Sequence, residues 1–251
     1  VSSGVKALCA EIYRVGSRAH GGNKLPANGS PCGSVEFKNV SFEYKNAGAE
    51  ALFDISFFAK PGQTVGIIGG TRSGKSTLVN LVPNFYSATK GQVLIDGVNA
   101  DEYDRAALLS AVSVVPQKAV LFEGTIRSNL LMGNPNASEA ELFAALETAQ
   151  AAEIVRTKPN GIDEPVLRGG SNFSGGQKQR LSIARALVHG GRILILDDSA
   201  SALDFATDAK LRAAIRKLSP APTTFIVSQR AASVMFADFI IVLDEGRAVG
   251  Q

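Results

Sequence analysis

The chain has 251 residues, 45% of them hydrophobic and 20% charged, with a formal net charge of +3. That length suits one large domain or two small ones with a substantial core, and the balance is that of an ordinary soluble globular protein. No long Lys/Arg block accompanies the charge, so nucleic acid or an anionic membrane has only a faint electrostatic case, and no apolar run approaches the roughly 20 residues of a membrane-spanning helix.

In chain order, Val5, Leu8, Cys9, Ile12 and Tyr13 fall at helical spacing and predict a short amphipathic helix over 1–15. Residues 16–34, rich in Gly, Ser, Asn and Pro, read as a linker. Cys9 and Cys32 lack partners at metal-ligand spacing, and a reducing compartment fits them better than a disulfide framework. The globular domain is expected to start near Val35 and to run to Gln251. The segments VEFKNVSFEY and ALFDISFFAK alternate apolar and polar residues and predict half-buried antiparallel strands. TVGIIGG is a continuous apolar run, as expected of a strand buried on both faces, and a helix is expected from about Lys75. AVSVVPQ, RILILDD, TTFIVSQ and FIIVLDEG are further apolar runs between helical patterns, which argues for an α/β domain with a largely parallel sheet. Between about 125 and 190 the patterns SEAELFAALETAQAAEIV and SGGQKQRLSIARALV are helical, so a helical insertion is expected there.

Three motifs carry chemistry. Gly69, Gly70, Thr71, Arg72, Ser73, Gly74, Lys75 and Ser76, followed by Thr77, satisfy the phosphate-loop pattern G-x-x-x-x-G-K-[ST] between a strand and a helix. Backbone N–H groups of such a turn converge on phosphate oxygens, with the helix N-terminus adding positive potential. Lys75 would reach the β- and γ-phosphates and the Ser76 hydroxyl would bind Mg²⁺. Asp197 closes the run ILIL, where folds of this kind place a second Mg²⁺ ligand; a solvated helix-capping acid is the plainer alternative. Ser174, Gly175, Gly176 and Gln177 open a helix at capping-box spacing. Two glycines in a first turn cost helix propensity, roughly 1 kcal/mol each against Ala, which makes sense if bare N–H groups must approach an anion.

With these motifs the chain strongly resembles the nucleotide-binding domain of an ATP-binding cassette (ABC) exporter, from about Val35 to Gln251. FSGGQKQR, beginning at Phe173, is the family's signature; Ser201, Ala202, Leu203 and Asp204 resemble its D-loop, Gln117 its Q-loop glutamine, and Tyr44 the aromatic that stacks on adenine. VLFEGTIRSNL is similar to the exporter segment that meets the coupling helices of a membrane domain. The resemblance implies a P-loop NTPase core with an antiparallel β subdomain and an inserted helical subdomain. It further implies binding of ATP and Mg²⁺, with Gln117 touching the metal, and a head-to-tail pair of domains in which each signature serves the partner's ATP. Residues 1–34 then read as the end of a membrane-helix extension plus linker. The chain as a whole reads as an excised domain, soluble alone, acting at the cytoplasmic face of a plasma or inner membrane with no nucleic-acid partner.

Four positions depart from the family pattern. Asp198 stands where the general-base Glu is usual, one methylene short, and Gln229 stands where the switch His is usual. EPVLRGG departs from the stretch that precedes the signature in exporters. Arg72 replaces a usual Gly; a cation near the phosphates and a side chain in solvent are both compatible with that. The first two fall on one site while the signature is intact, the pattern of the slow half of a heterodimeric exporter. A homodimeric exporter tolerating both changes, a soluble ABC ATPase acting on nucleic acid or ribosomes, and a domain using ATP only as dimer glue are the alternatives. The missing coiled-coil heptads and the single cassette count against the second.

Overall fold

The computed structural model describes residues 22–26, 33–45, 50–199 and 201–251, so the expected helix over 1–15 lies outside the described residues. The described chain opens with two strands, β1 (Val35–Glu43) and β2 (Glu50–Ala59), paired antiparallel. The Phe37 and Phe57 rings stack at 4.5 Å across that pair. Next come β3 (Thr64–Gly69), α1 (Lys75–Leu81), β4 (Lys90–Ile95), β5 (Val98–Asn99), α2 (Arg105–Ala111) and β6 (Val112–Val115). The strands β4 and β5 were not anticipated from the sequence; they complete a four-stranded antiparallel sheet in the order β2-β1-β4-β5. Asp96, in the turn between them, accepts from the N–H groups of Gly33 and Ser34 at 2.7 and 2.8 Å and pairs with Arg192 at 3.0 Å. That buried carboxylate fastens the entry of β1 to the rest of the domain.

The helical insertion holds a two-residue ribbon, β7 (Gly124–Thr125) with β8 (Pro165–Val166), and the helices α3 (Ile126–Leu131), α4 (Glu139–Thr148), α5 (Ala152–Arg156) and α6 (Gly175–His189). Its local logic is capping. Thr125 and Ser138 close reciprocal capping boxes on α3 and α4. The pattern over 138–155 breaks into two helices at Gln150, which adopts φ +57°. Within VLFEGTIRSNL, buried Asn129 accepts from Phe122 N and donates to the carbonyls of Phe122 and Thr125, fixing the loop before α3.

The remaining elements are β9 (Ile193–Asp197), α7 (Phe205–Arg216), β10 (Thr223–Ser228), α8 (Ala231–Val234), β11 (Phe239–Asp244) and β12 (Arg247–Gly250). They build a six-stranded sheet in the order β12-β11-β3-β10-β9-β6, parallel except for the edge strand β12. Successive side chains of a strand point to opposite faces, and both faces are covered here. Ile193 and Ile195 enter the core shared with the antiparallel sheet, while Leu194 and Leu196 enter the core shared with the helical insertion. The continuous apolar run of β9 is the signature of that double burial.

Parallel strands present their C-terminal ends on one side, where open α/β sheets place their ligands. The loop after β3, Gln117 after β6, Asp197 at the end of β9 and Gln229 after β10 all fall at that edge. Among the described residues, no helix is long and apolar enough to cross a membrane.

Candidate functional site

The turn from β3 into α1 is shaped by one glycine above the others. Gly74 adopts φ +99°, and a Cβ there would meet Leu52 Cδ2 at 2.9 Å and Ala51 O at 3.0 Å. Its carbonyl accepts from Leu78 N at 2.9 Å, the first turn of α1. The next side chain, Lys75, is buried and folds back over the loop, donating to Gly69 O at 2.8 Å, to Gly70 O and to Ser73 Oγ at 3.2 Å. Burial lowers its ammonium from the ordinary lysine value, against the upward pull of Asp198 and then Asp197. The three donors of this lysine are met by its own loop, and a phosphate oxygen brought into that ring would replace one of these acceptors.

Ser76 Oγ donates to Asp197 Oδ1 at 3.0 Å across 121 residues, so a hydroxyl and a carboxylate oxygen already meet at the end of β9. Burial raises the Asp197 carboxyl above its ordinary value; the Ser76 hydrogen bond opposes this, Asp198 adds to it and Lys75 opposes it. A divalent cation at this point would favour the ionised form. Hard oxygen donors of this kind suit Mg²⁺, which takes one or two protein ligands and completes its shell with water and phosphate. Among the described residues no group of three or more His, Cys, Asp or Glu side chains is arranged to hold a metal by itself.

Asp198 leaves the strand at φ +44°, its N–H donating to Val227 O at 3.0 Å. Gln117 Nε2 donates to Asp198 Oδ2 at 3.1 Å. Of the expected catalytic and metal residues, Gln117 and Asp198 thus form one hydrogen-bonded pair and Ser76 and Asp197 another, and Lys75 is coupled to both acids by charge. Gln229 is exposed just beyond β10, whose Val227 is in register with Asp197.

Tyr44 completes the other end. Its hydroxyl shares a 2.9 Å hydrogen bond with Thr77 Oγ1, and its ring sits edge-on to Phe42 and Tyr86 at 4.7 and 5.3 Å. A cleft of about 500 Å³ runs from Tyr44 along residues 72–77, with Glu50, Ala51, Glu245 and Gly246 on its walls. The Glu245–Gly246 turn was not recognised from the sequence. It touches the loop directly, with Gly246 N donating to Ser73 O at 3.1 Å and Phe53 N to Gly246 O at 2.8 Å. Nothing in FIIVLDEG pointed to a partner 173 residues away.

The signature residues lie outside the lining of this cleft. Ser174 caps α6 in a reciprocal box: Ser174 N donates to Gln177 Oε1 at 3.0 Å and Gln177 N to Ser174 Oγ at 3.3 Å. Phe173 is buried beneath the Lys158 ammonium at 4.9 Å. A Cβ on Gly176 would meet Ala202 O at 3.0 Å, whereas one on Gly175 would meet nothing within 4 Å among the described residues. Packing among the described residues therefore explains Gly176 and places no steric demand on Gly175. Asp204 caps α7, accepting from Thr207 N at 2.9 Å and Thr207 Oγ1 at 2.7 Å, and these bonds hold its carboxyl below the usual range. Arg230, missed in the sequence because its partners are backbone atoms, donates to Ser201 O at 3.2 Å and Leu203 O at 3.4 Å. It ties the segment after β10 to the 201–204 turn.

Comparison with known proteins accords with this geometry. Residues 52–201 match the family model described as ABC transporter. An uncharacterised ABC transporter ATP-binding protein of Mycobacterium tuberculosis is 44% identical over 230 residues, 90% of this chain and 39% of that protein. A beta-(1→2)glucan export ATP-binding/permease protein of Bartonella bacilliformis is 41% identical over 225 residues, 90% of this chain and 38% of that protein. The structure of a bacterial Atm1-family ABC exporter with ATP bound superposes with a TM-score of 0.85 at 35% identity, covering 96% of this chain and 43% of that chain. The chain spans about two fifths of the length of these curated relatives.

Proposed function

The chain belongs to the ABC transporter family, as its nucleotide-binding ATPase domain, and from that premise we propose that it powers an exporter and that its own ATP site turns over slowly. The observation that carries this reading is a pair of residues at the sheet edge: Asp198, next to Asp197 at the end of β9, accepts from the Gln117 amide at 3.1 Å, and Gln229 follows β10 in place of a titratable side chain. Lys75 and the amides of residues 69–77 hold the phosphates, Tyr44 faces the adenine, and Ser76, Asp197 and Gln117 hold Mg²⁺. When bound, that ion supplies charge neutralisation between the β- and γ-phosphates. Asp198 orients the attacking water from one methylene too far away, and Gln229 donates a hydrogen bond to a γ-phosphate oxygen without carrying a proton.

The partner in this reading is a second nucleotide-binding domain with a full Glu and His, whose ATP is completed by Ser174–Gln177 of this chain. VLFEGTIRSNL faces the coupling helices of a membrane domain, residues 1–34 lead from that domain, and 35–251 form the cassette at the cytoplasmic face. The test is ATP turnover of the chain against Asp198→Glu combined with Gln229→His. Restoring reach and proton capacity is expected to raise turnover by about 10- to 100-fold, the scale on which ~1 Å of displacement acts. Equal rates before and after the double change would remove the slow-site reading.

A further inference from the structure

The phosphate loop carries a residue that the reading above leaves without a task. Arg72 adopts φ +65°, inside the left-handed region, where glycine sits freely and a branched-off Cβ is disfavoured. Strain of this kind persists where the surroundings require it, and it is concentrated at functional sites. Arg72 is exposed, and among the described residues no hydrogen bond, ion pair or ring contact engages its guanidinium. Yet it lines the same cleft as Lys75, Ser76 and Tyr44. Of the acids on that cleft, Glu50 is already paired with Lys90 at 2.8 Å. The cation of Lys75 is engaged by carbonyls of its own loop. The cleft thus presents one committed cation and one uncommitted one beside the loop amides.

We propose that Arg72 is a second phosphate-binding cation of this cleft, contacting the outer phosphates of a nucleoside di- or triphosphate through its guanidinium fork. The inference rests on the reading of the cleft as a nucleotide site and adds a determinant of affinity to it. A guanidinium presents two parallel donors to a phosphate, and such charge-assisted pairs are about twice as strong as neutral ones. A site that turns over slowly gains from holding its nucleotide, and an unpaired Arg on the loop does that without touching the reacting water.

The experiment measures affinity of the chain for MgATP, MgADP and AMP in Arg72→Gly, Arg72→Ala and Arg72→Lys, with Lys75→Ala as the control on the site and thermal melting beside each. Loss of about tenfold for ATP and ADP in the Gly and Ala variants is expected, from loss of a charge-assisted contact. AMP should be unchanged, and Lys should fall between wild type and Ala. Arg72→Gly should melt at or above wild type because the left-handed turn suits it, which separates lost contact from lost fold. ATP binding within twofold of wild type in both the Gly and Ala variants overturns the proposal, as does equal loss for AMP and ATP. So does an effect that appears only when a second nucleotide-binding domain is present. If the unaltered chain binds no nucleotide, or Lys75→Ala binds as tightly as wild type, the reading of the cleft falls and the role of Arg72 falls with it.

Discussion

The amide of Gln117 donates to the carboxylate of Asp198 across 3.1 Å, joining the segment after β6 to the turn after β9. A separate bond from Ser76 Oγ to Asp197 Oδ1 ends on the neighbouring acid, and Lys75 stands over the carbonyls of its own loop. These residues come from the C-terminal ends of three parallel strands, Lys75 and Ser76 after β3, Gln117 after β6, and Asp197 and Asp198 at β9, so the register of the six-stranded sheet sets the spacing of the three groups. Asp198 is held by Gln117 at its side chain, by Val227 O at its N–H, and by Ser201 N and Oγ, which donate to its carbonyl at 3.2 and 2.8 Å. Its position is therefore well defined, and in the proposed slow site length is what it lacks.

Asp198→Asn keeps the shape, and Asn tolerates the φ +44° backbone of this residue, so the change removes charge alone. Turnover at this chain's own site should fall to background, with MgATP affinity within about twofold and melting within ~2 °C of wild type, as for a substitution that opens no cavity. Steady-state hydrolysis, equilibrium binding and a thermal melt check the three parts. Wild-type turnover in the Asn variant would mean that Asp198 does not act on the water.

Lys75→Ala removes the donor to Gly69 O, Gly70 O and Ser73 Oγ together with the phosphate cation. Hydrogen bonds to charged groups contribute about 1.5–3 kcal/mol each, so loss of even one phosphate contact weakens ATP by roughly 10- to 100-fold. Titration calorimetry against MgATP measures it. An affinity unchanged by the substitution contradicts the placing of phosphates in this loop.

Gly74→Ala is expected to be more damaging than its size suggests. The residue needs φ +99°, and the added methyl would stand 2.9 Å from Leu52 Cδ2 and 3.0 Å from a backbone carbonyl. Strain of about 1–3 kcal/mol would be relieved by moving the loop away from β2, so ATP binding should fall together with stability. A variant that melts and binds like wild type shows that the turn does not need glycine.

Much of this site was legible because it is written locally. The phosphate loop, the strand ending at Asp197 and the Ser174–Gln177 box depend on residues a few positions apart, and the structure shows the turn, strand end and cap that those spacings predict. The break at Gln150 was invisible because Ala, Gln and Glu on both sides favour helix, and only the left-handed φ of one residue interrupts it. Strands β4 and β5 were missed for a different reason. KGQVLI exposes its first three residues and buries only two of the others, so its alternation is too short to stand out. The clasp of Arg230 on Ser201 and Leu203, and of Gly246 on Ser73, run to backbone atoms far along the chain. Backbone acceptors carry no residue identity, so no pattern in the sequence could announce them.

The helical insertion gives a pH-dependent prediction. Arg127 donates to both Asp163 oxygens, at 2.7 and 3.0 Å, and to Glu139 at 3.0 Å, tying α3 to the turn before β8 and to the start of α4. The Arg127 hydrogen bond holds the Asp163 carboxyl below its ordinary value. A carboxyl lowered on folding stabilises the fold above its unfolded value of about 3.9, and that stability is lost as pH falls through the lower folded value. Asp163→Asn should therefore melt slightly below wild type at pH 7, with the gap closing below pH 4. Because the pair is exposed, added salt should shrink the gap at pH 7. Melts of the two proteins at both pH values check it, and a gap that widens in acid is the contrary result.

Gly175 separates what the chain needs from what a partner needs. Its neighbour Gly176 is constrained by Ala202 O at 3.0 Å, but a Cβ on Gly175 meets nothing within 4 Å among the described residues, in a helix whose cap is already satisfied by Ser174 and Gln177. Replacing glycine by alanine at a compatible helical position stabilises by about 0.4–1 kcal/mol, chiefly through the unfolded chain, and for a domain of this size that raises the melting point by roughly 1–4 °C. Nucleotide affinity of this chain's own cleft should be unaltered, since Gly175 does not line it. In the proposed head-to-tail pair, however, the bare Gly175 amide is the group assigned to the partner's γ-phosphate, so the methyl should lower turnover by tenfold or more, as when one donor to a developing charge is lost. The substitution is thus expected to strengthen the fold and weaken the machine. Wild-type turnover in the assembled Gly175→Ala transporter would mean that this helix end serves no second nucleotide.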